Sequence, residues 1–521
     1  RRQRQMCIRD SFSKDYNDIT NMTWSNILTY QTKIKKKHNL DLLVGYEINS
    51  KESDGLGTTI SNFARWDKPE VNNGVVYQSM GGSNSTTRIV SYITRANYDY
   101  DNKYYLGASW RTDGSSRLAR ENRWGNFWSL SGAWRVSSES FMKPLQNWLS
   151  DLKLRVSYGV NGTLPSSYYG YMGLSSLTSN YNDNPGIKQS QLENKELTWE
   201  TNYNFNSGID LGFFDNRLNV TFEYYVRTTK NLLYSRPLSL ATGFSSYLAN
   251  IGKLQNKGYE LEIRSTNIET KDFRWSTSLN LGHNANKILK LDGDLKQVTS
   301  GTSIHKVGLP YSTYYMIEFA GIDPADGEPM FYKNTTDENG NLNKETTKDP
   351  RSAEKVILQC ADPTITGGLG NSISYKWFDL NFNVNFSFGA WNYDGSASKL
   401  EHGGDGTLNI PIYYRKRWQK EGDETSIERF VVGRSISMTD YATTRRLYSG
   451  DYVRLKNLTF GFTLPKTWTR KVGIDNIRLY ASGNNLLTWA TYDYIDPESG
   501  SSPSWDTPPM RTYTFGLEVK F

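Results

Sequence analysis

The chain has 521 residues, 14% of them aromatic and led by 35 Tyr and 15 Trp, yet only 37% are hydrophobic and the mean hydropathy is −0.65. A soluble domain so rich in rings would bury them among many more aliphatics, whereas a wide barrel needs only a thin outer apolar band with aromatic girdles around a polar lumen. No run of about 18 apolar residues exists, which excludes a transmembrane helix; two Cys support no disulfide framework; and a net charge of +7 spread along the chain argues against nucleic-acid binding.

Residues Arg1 to Asp10 fit nothing downstream, having neither strand alternation nor the apolar region of a signal peptide. They resemble the translation of a transposase sequencing adaptor. Residues 1–10 are therefore expected to be non-native, and 11–521 to be the protein proper. On that reading Cys360 is the one native thiol, and removing four Arg and one Asp lowers the charge from +7 to +4. The gene then began further upstream, so a missing signal peptide says nothing about localisation.

Beyond this start, period-two alternation dominates. It predicts about fifteen strands: 19–34, 40–49, 88–99, 103–112, 125–136, 151–160, 198–211, 218–228, 256–267, 273–284, 366–376, 379–389, 452–464, 476–487 and 511–521. Tyr104, Leu106, Ala108 and Trp110 alternate with Tyr105, Gly107, Ser109 and Arg111. Leu152, Leu154, Val156 and Tyr158 alternate with Lys153, Arg155, Ser157 and Gly159. Leu380, Phe382, Val384, Phe386 and Phe388 alternate with Asn381, Asn383, Asn385, Ser387 and Gly389. Each strand thus has one apolar and one polar face.

Three features favour a membrane over a soluble sandwich. The polar face is rich in Asn, Ser, Thr and Gly, which suits a lumen. The segments approach the roughly ten residues that cross hydrocarbon at a tilt. Turns alternate between short, as at Asp215-Asn216, and long. The Gly-, Asn-, Ser- and Asp-rich stretches 51–87, 161–195, 229–255, 285–365, 390–450 and 488–510 read as loops, with nothing structured expected between Asn284 and about Glu328. Asp113 to Ser116 reads as a turn. Trp110, Trp124, Trp128 and Trp134 read as girdle aromatics against outer-membrane lipid. Asp451, Arg454 and Lys456 are expected at the lumen or its rim, where charge is tolerated. On the last strand Tyr513, Phe515, Leu517, Val519 and Phe521 share one face, the pattern by which outer-membrane assembly machinery recognises a final strand edge.

At this point a family resemblance enters. The stretch from Tyr105 to Met142, Ser150 to Gly159, Asn250-Ile251-Gly252 with Asn256 to Glu260, Gly450 to Leu458, and Tyr480 to Leu486 together resemble the C-terminal portion of a SusC/RagA-type TonB-dependent transporter of a Bacteroidetes-like outer membrane. The resemblance implies an all-β transmembrane antiparallel barrel, about fifteen strands of a 22-stranded whole. It also implies import of an oligosaccharide or, in some members, a peptide. A SusD-like surface lipoprotein would cap the barrel, and a periplasmic TonB complex would act through a plug and TonB box that this sequence lacks. A SusD-like gene is expected immediately downstream.

Enzyme chemistry has little support. His38, His283, His305 and His402 show no metal-ligand spacing, and neither a nucleophile elbow nor a phosphate-binding glycine loop occurs. Asp323 to Glu328 and Asp337 to Asn341 read as acidic extracellular turns with too few oxygen ligands for a calcium loop. No catalytic residue, metal or cofactor is assigned. A soluble or surface carbohydrate-binding β-protein is the alternative to a transporter, and a barrel enzyme the third reading. Trp391, Tyr393 and Asp394 are the candidate substrate contacts.

Overall fold

The computed structural model describes residues 11–63, 67, 70–182, 184–291, 295–338, 340–404, 409–432, 441–492, 495–499 and 509–521; the adaptor-like residues 1–10 lie outside it. Fifteen long strands form one sheet, hydrogen-bonded in chain order. They are β1 Ser11–Ile34, β2 His38–Phe63, β3 Gly74–Tyr100, β4 Tyr104–Ser115, β5 Trp124–Arg135, β6 Leu149–Thr163, β7 Glu200–Phe213, β8 Leu218–Lys230, β9 Lys253–Glu269, β10 Phe273–Lys290, β11 Ile365–Tyr375, β12 Phe378–Phe388, β13 Tyr452–Thr463, β14 Asn476–Ala490 and β15 Thr512–Lys520. Each overlaps one predicted segment, with bounds that differ by a few residues in most and by more at β1, β2, β3 and β10. β1 and β15 end the order, each with one neighbour.

Tight turns of a few residues join β1–β2, β3–β4, β7–β8, β9–β10 and β11–β12, while β5–β6 and β13–β14, on the same side, carry short helical turns; on the other side β2–β3 and β4–β5 are moderate and the connections from β6–β7 onward are long. The tight turns need left-handed backbone, supplied by Asp101 and Asn102 (φ 57° and 53°) and by Asp215 and Asn216 (φ 55° and 61°). Asp and Asn tolerate that region because a short polar side chain bonds locally.

Two compact units divide the chain. The first comprises residues to Ala133 with Ser157–Asn204 and Thr229–Gly252. In it β2 and β3 pair far beyond the expected strands, from His38↔Tyr100 to Phe63↔Gly74. The stretch 51–87 is therefore no loop except near its tip. Alternation of residue type is weak there because the ribbon has few buried side chains, Ile60 and Thr87 among them, to impose it. Asp113 to Ser115 also departs from expectation. These residues end β4 instead of turning, and Arg111 Nε donates to both oxygens of the buried Asp113 at 2.6 and 2.8 Å. Leu118, Phe127, Val160, Leu197 and Trp199 form this unit's apolar core.

The second unit comprises Trp134–Val156, Phe205–Thr228 and Lys253–Phe521. Its 285–365 connection is folded, again against expectation. Gln297–Ser300, Ser303–Lys306, Thr313–Ile317 and Lys355–Cys360 form a four-stranded sheet, and Phe319–Ile322, Pro329–Tyr332 and Thr346–Thr347 a three-stranded one. Farther on, Trp391–Tyr393 pairs with Leu447–Ser449, and a short helix runs Gly395–Leu400.

Candidate functional site

The period-two pattern sorts the second unit's strands into two faces. Along β12 the apolar set Leu380, Phe382, Val384 and Phe386 opposes Asn381, Asn383, Asn385 and Ser387. The β11–β12 and β12–β13 registers carry that sorting sideways, matching Gly370 to Asn383 and Asn381 to Thr459. A groove of about 1060 Å³ lies across β8 to β12, lined by Glu223, Glu260, Glu262, Arg264, Asn280, Asn383 and Asn385 among others. Glycines make it possible. A Cβ on Gly370 would fall 2.6 Å from Ser278 Oγ and 2.9 Å from Asn383 Oδ1, so the amides lie flat only because no side chain stands there.

Most wall charges are paired within the wall. Arg155 on β6 donates to Asp210 on β7 at 2.8 and 3.0 Å and lies 2.7 Å from Glu223 on β8. Arg478 donates to Asp379 across β14 and β12 at 2.8 Å. Glu262 pairs with Arg264. A solute in the groove thus meets amides, hydroxyls and the Glu260 carboxylate rather than a field of one sign.

Above the strands, the long 389–451 connection is held by buried ions. Glu428 is fully buried; its Oε1 accepts from Tyr414 Oη at 2.8 Å and its Oε2 from Arg445 Nη1. Arg446 Nε donates to Glu401 at 3.2 Å, and Glu401 also accepts from Tyr413. Burial is the largest influence and raises the Glu428 carboxyl, but the Arg445 charge together with the hydrogen bonds the carboxylate accepts holds the group below its ordinary value. Burial and the carboxylate neighbours push the Tyr413 and Tyr414 phenols up. No sequence signal marks this lattice: Glu401 and Arg446 are 45 residues apart and join no motif.

Trp391 and Tyr393 sit half-buried on the short strand paired with Leu447–Ser449. Asp394 is buried, with one oxygen accepting from Ala397 N at 2.7 Å and the other from Tyr492 Oη at 3.0 Å. Its carboxylate is therefore committed to the fold. Arg454 is buried, 2.8 Å from Glu498, and also pairs with Asp496; Lys456 pairs with Glu498 at 2.6 Å. Asp451 accepts from Gly389 N at 2.6 Å. In the acidic turn, Asp326 and Asp323 both pair with Lys348.

Trp110, Trp124 and Trp128 are exposed, and Trp134 is partly buried against the Val136, Met142 and Leu149 core. Trp24, Tyr46, Tyr92 and Trp124 form a ladder of rings at 6.0, 5.1 and 6.2 Å, crossing from β1 to β5. A second group, Tyr98, Tyr100 and Tyr104, lies eight residues nearer the short turns. At ~3.3 Å per residue and a tilt of about 40° that separates the groups by ~20 Å along the normal, close to the ~25 Å apolar band of outer-membrane barrels. On β15, Tyr513, Phe515, Leu517 and Phe521 are all exposed, Phe521 at 90%, while Val519 is partly covered.

Comparison with known proteins agrees with this architecture. Residues 8–486 match the family described as TonB dependent receptor-like, beta-barrel. The chain is 33% identical to TonB-dependent receptor P3 of Formosa agariphila over 97% of its own length and 53% of that protein's. It is 29% identical to TonB-dependent receptor SusC of Bacteroides thetaiotaomicron over 98% of its own length and 52% of that protein's. A chain in the structure of the RagAB peptide transporter superposes with a TM-score of 0.86 at 28% identity, covering 98% of this chain and 56% of that one. The chain spans about half the length of the curated relatives it matches.

Proposed function

The chain belongs to the TonB-dependent receptor β-barrel family and is of the SusC/RagA type, an outer-membrane transport barrel, and from that premise we propose that it forms the lumen wall of an importer for a neutral oligosaccharide. The carrying observation is the wall chemistry of the second unit. Its groove presents Asn280, Asn383, Asn385, Ser278, Ser387, Thr221 and Thr366 beside glycines and apolar side chains, and its neighbouring charges are mostly paired. Hydroxyl-rich solutes exchange hydrogen bonds with such a wall at little cost in net charge, while Trp391 and Tyr393 offer rings against which sugar faces pack.

Import requires energy and a lid that this stretch of chain does not itself supply. We assign these to the TonB complex, through a plug, and to a SusD-like lipoprotein over the long connections. Assembly is assigned to β15, whose alternating apolar face is exposed and whose edge the assembly machinery would pair with before closure.

A peptide is the second reading. The similar RagAB assembly is titled a peptide transporter, and Glu223, Glu260 and Glu262 line the groove, where they would attract basic residues or an amino terminus. The test is binding and uptake by the full-length protein, with neutral glycans and peptides offered in parallel. Glycan binding that weakens several-fold in Asn383→Ala and is untouched by salt supports the first reading. Salt-sensitive peptide binding that weakens in Glu260→Gln supports the second, and binding of neither class refutes both.

A further inference from the structure

We infer that the β1–β2 turn is a binding site for the anionic phosphate headgroups of phospholipids in the leaflet at the short-turn side of the membrane. The inference rests on outer-membrane placement and is independent of the cargo.

The first observation is backbone geometry. Lys35 and Lys36 occupy consecutive left-handed positions, with φ 49° and 62°. The corresponding turns use Asp101-Asn102 and Asp215-Asn216. Lysine has no short polar group to bond the local backbone, and its Cβ crowds the following carbonyl in this region. The turn therefore carries two consecutive residues poorly suited to its shape, where the β11–β12 turn has a single left-handed lysine, Lys376 (φ 50°), and turn formation alone does not account for the pair.

Charge is the second observation. Lys33, Lys35, Lys36 and Lys37 fall within five residues, and Lys103 lies on the adjacent β3–β4 turn. Lys37 lies 3.5 Å from Asp101, whose backbone N–H also bonds Lys37 O at 2.7 Å. On the same side, β7–β8 and β9–β10 are balanced, with Asp215 near Arg217, and Glu269 and Asp272 near Lys271 and Arg274, while the longer β13–β14 connection carries Lys466, Arg470 and Lys471 against Asp475. With Lys33, Lys35, Lys36 and Lys37 inside five residues, the β1–β2 tip is the more concentrated of the two basic ends.

The third observation fixes its height. His38 Nδ1 meets Tyr98 Oη at 2.8 Å, the His38 ring lies 5.0 Å from Tyr100, and Tyr100 lies 6.4 Å from Tyr104. These are the rings nearest the short turns on the apolar face, and such rings settle at headgroup depth. The lysines are one to three residues from His38, within about 10 Å at ~3.3 Å per residue. The site thus puts several ammonium groups where phosphates are, just below a belt of phenols.

The test uses the full-length protein in nanodiscs of phosphatidylethanolamine with a minority of phosphatidylglycerol, followed by mass spectrometry of the lipids it retains. Each Lys at an anionic surface is worth about five-fold in partition. The K35N/K36G variant should therefore retain several-fold less phosphatidylglycerol, up to about 25-fold less. It restores a favoured turn pair, so its heat-modifiable mobility should match wild type. K35D/K36N, copying Asp101-Asn102, should lose the lipid likewise, and K35R/K36R should keep it. Equal phosphatidylglycerol retention by wild type and K35N/K36G overturns the inference. So does retention of free phosphate or of an acidic periplasmic protein without any preference for the anionic lipid.

Discussion

Arg445→Met is the sharpest test of how the long connection is held. Arg445 is 10% exposed and Glu428 not at all. The substitution keeps the stem's volume but strands the Glu428 carboxylate, with Tyr414 as its remaining donor. Removing one partner of a buried pair costs about 3–5 kcal/mol, chiefly because the other charge is left desolvated. The energy falls on a local module, so it appears as local opening rather than as unfolding of the sheet. Hydrogen exchange is the assay. Reporting amides include Val431 N–H on Gly403 O, Trp418 N–H on Ile427 O and Asp394 N–H on Arg446 O. Their protection should fall by about two to three and a half orders of magnitude, or to the unprotected rate if the module is less stable than that. β12 and β13 should be unchanged. Arg445→Met with Glu428→Leu and Tyr414→Phe should recover most of the protection, because an apolar trio of similar volume leaves neither a stranded charge nor an unpaired hydroxyl. Unchanged protection in the single variant, or a loss spreading into β12, would refute the reasoning.

Three further outcomes follow from the same structure. Tyr413 and Tyr414 are held protonated when folded but ionise near pH 10 when exposed. Module protection should therefore be complete below about pH 10 and fall as pH rises above it; the double Phe variant should flatten that slope, and an unaltered slope counts against it. Deleting Phe521 in the full-length protein should lower the heat-modifiable, folded fraction in outer-membrane extracts, and wild-type levels would remove β15 as the assembly signal. Tyr92→Ala breaks two ring contacts of the ladder, each worth about 0.5–1.5 kcal/mol. Unfolding in micelles should shift by about 1–3 kcal/mol, and no shift would mean the ladder adds nothing.

The strands were legible because each must divide its side chains between two solvents, which writes a period of two into the sequence. That is why Leu380 to Phe388 could be read residue by residue. Where the constraint lapses, so does the signal. Lys51–Phe63 and Gly74–Thr87 pair with one register shift at Thr59/Ile60, yet few of their side chains are buried and the composition resembles a loop. The 297–360 sheets failed to register for a related reason: their strands are mostly four to six residues long, too short for alternation to rise above noise. Asp113 was misread because Asp113, Gly114 and Ser115 pair with Ser91, Val90 and Ile89 on β3, a long-range constraint, whereas Asp-Gly-Ser-Ser carries local turn chemistry. The Glu401–Arg446 and Glu428–Arg445 pairs are long-range as well, and single-sequence spacing cannot reveal them.

The candidate contact hairpin depends on the final connection of the chain, and one substitution isolates that dependence. Tyr492 stacks on Tyr448 at 3.8 Å and donates to Asp394 Oδ2, while Thr491 Oγ1 donates to Ser449 O at 2.6 Å. Farther along, Asp496 and Glu498 hold Arg454 on β13. The β14–β15 connection is thus a strap across the hairpin that carries Trp391 and Tyr393. Tyr492→Phe preserves the stacking ring and removes one hydrogen bond to a buried carboxylate, at a cost of about 1–3 kcal/mol. Exchange should quicken at Ala397 N–H and Asp394 N–H, with β15 untouched and assembly normal. Deleting Phe521 should do the reverse, because it shortens the strand beyond the strap without touching residues 491–499. If Tyr492→Phe impaired assembly, or left the Asp394 amide fully protected, the strap would not brace the hairpin, and Trp391 and Tyr393 would owe their positions to the strand pairing with Leu447–Ser449 alone.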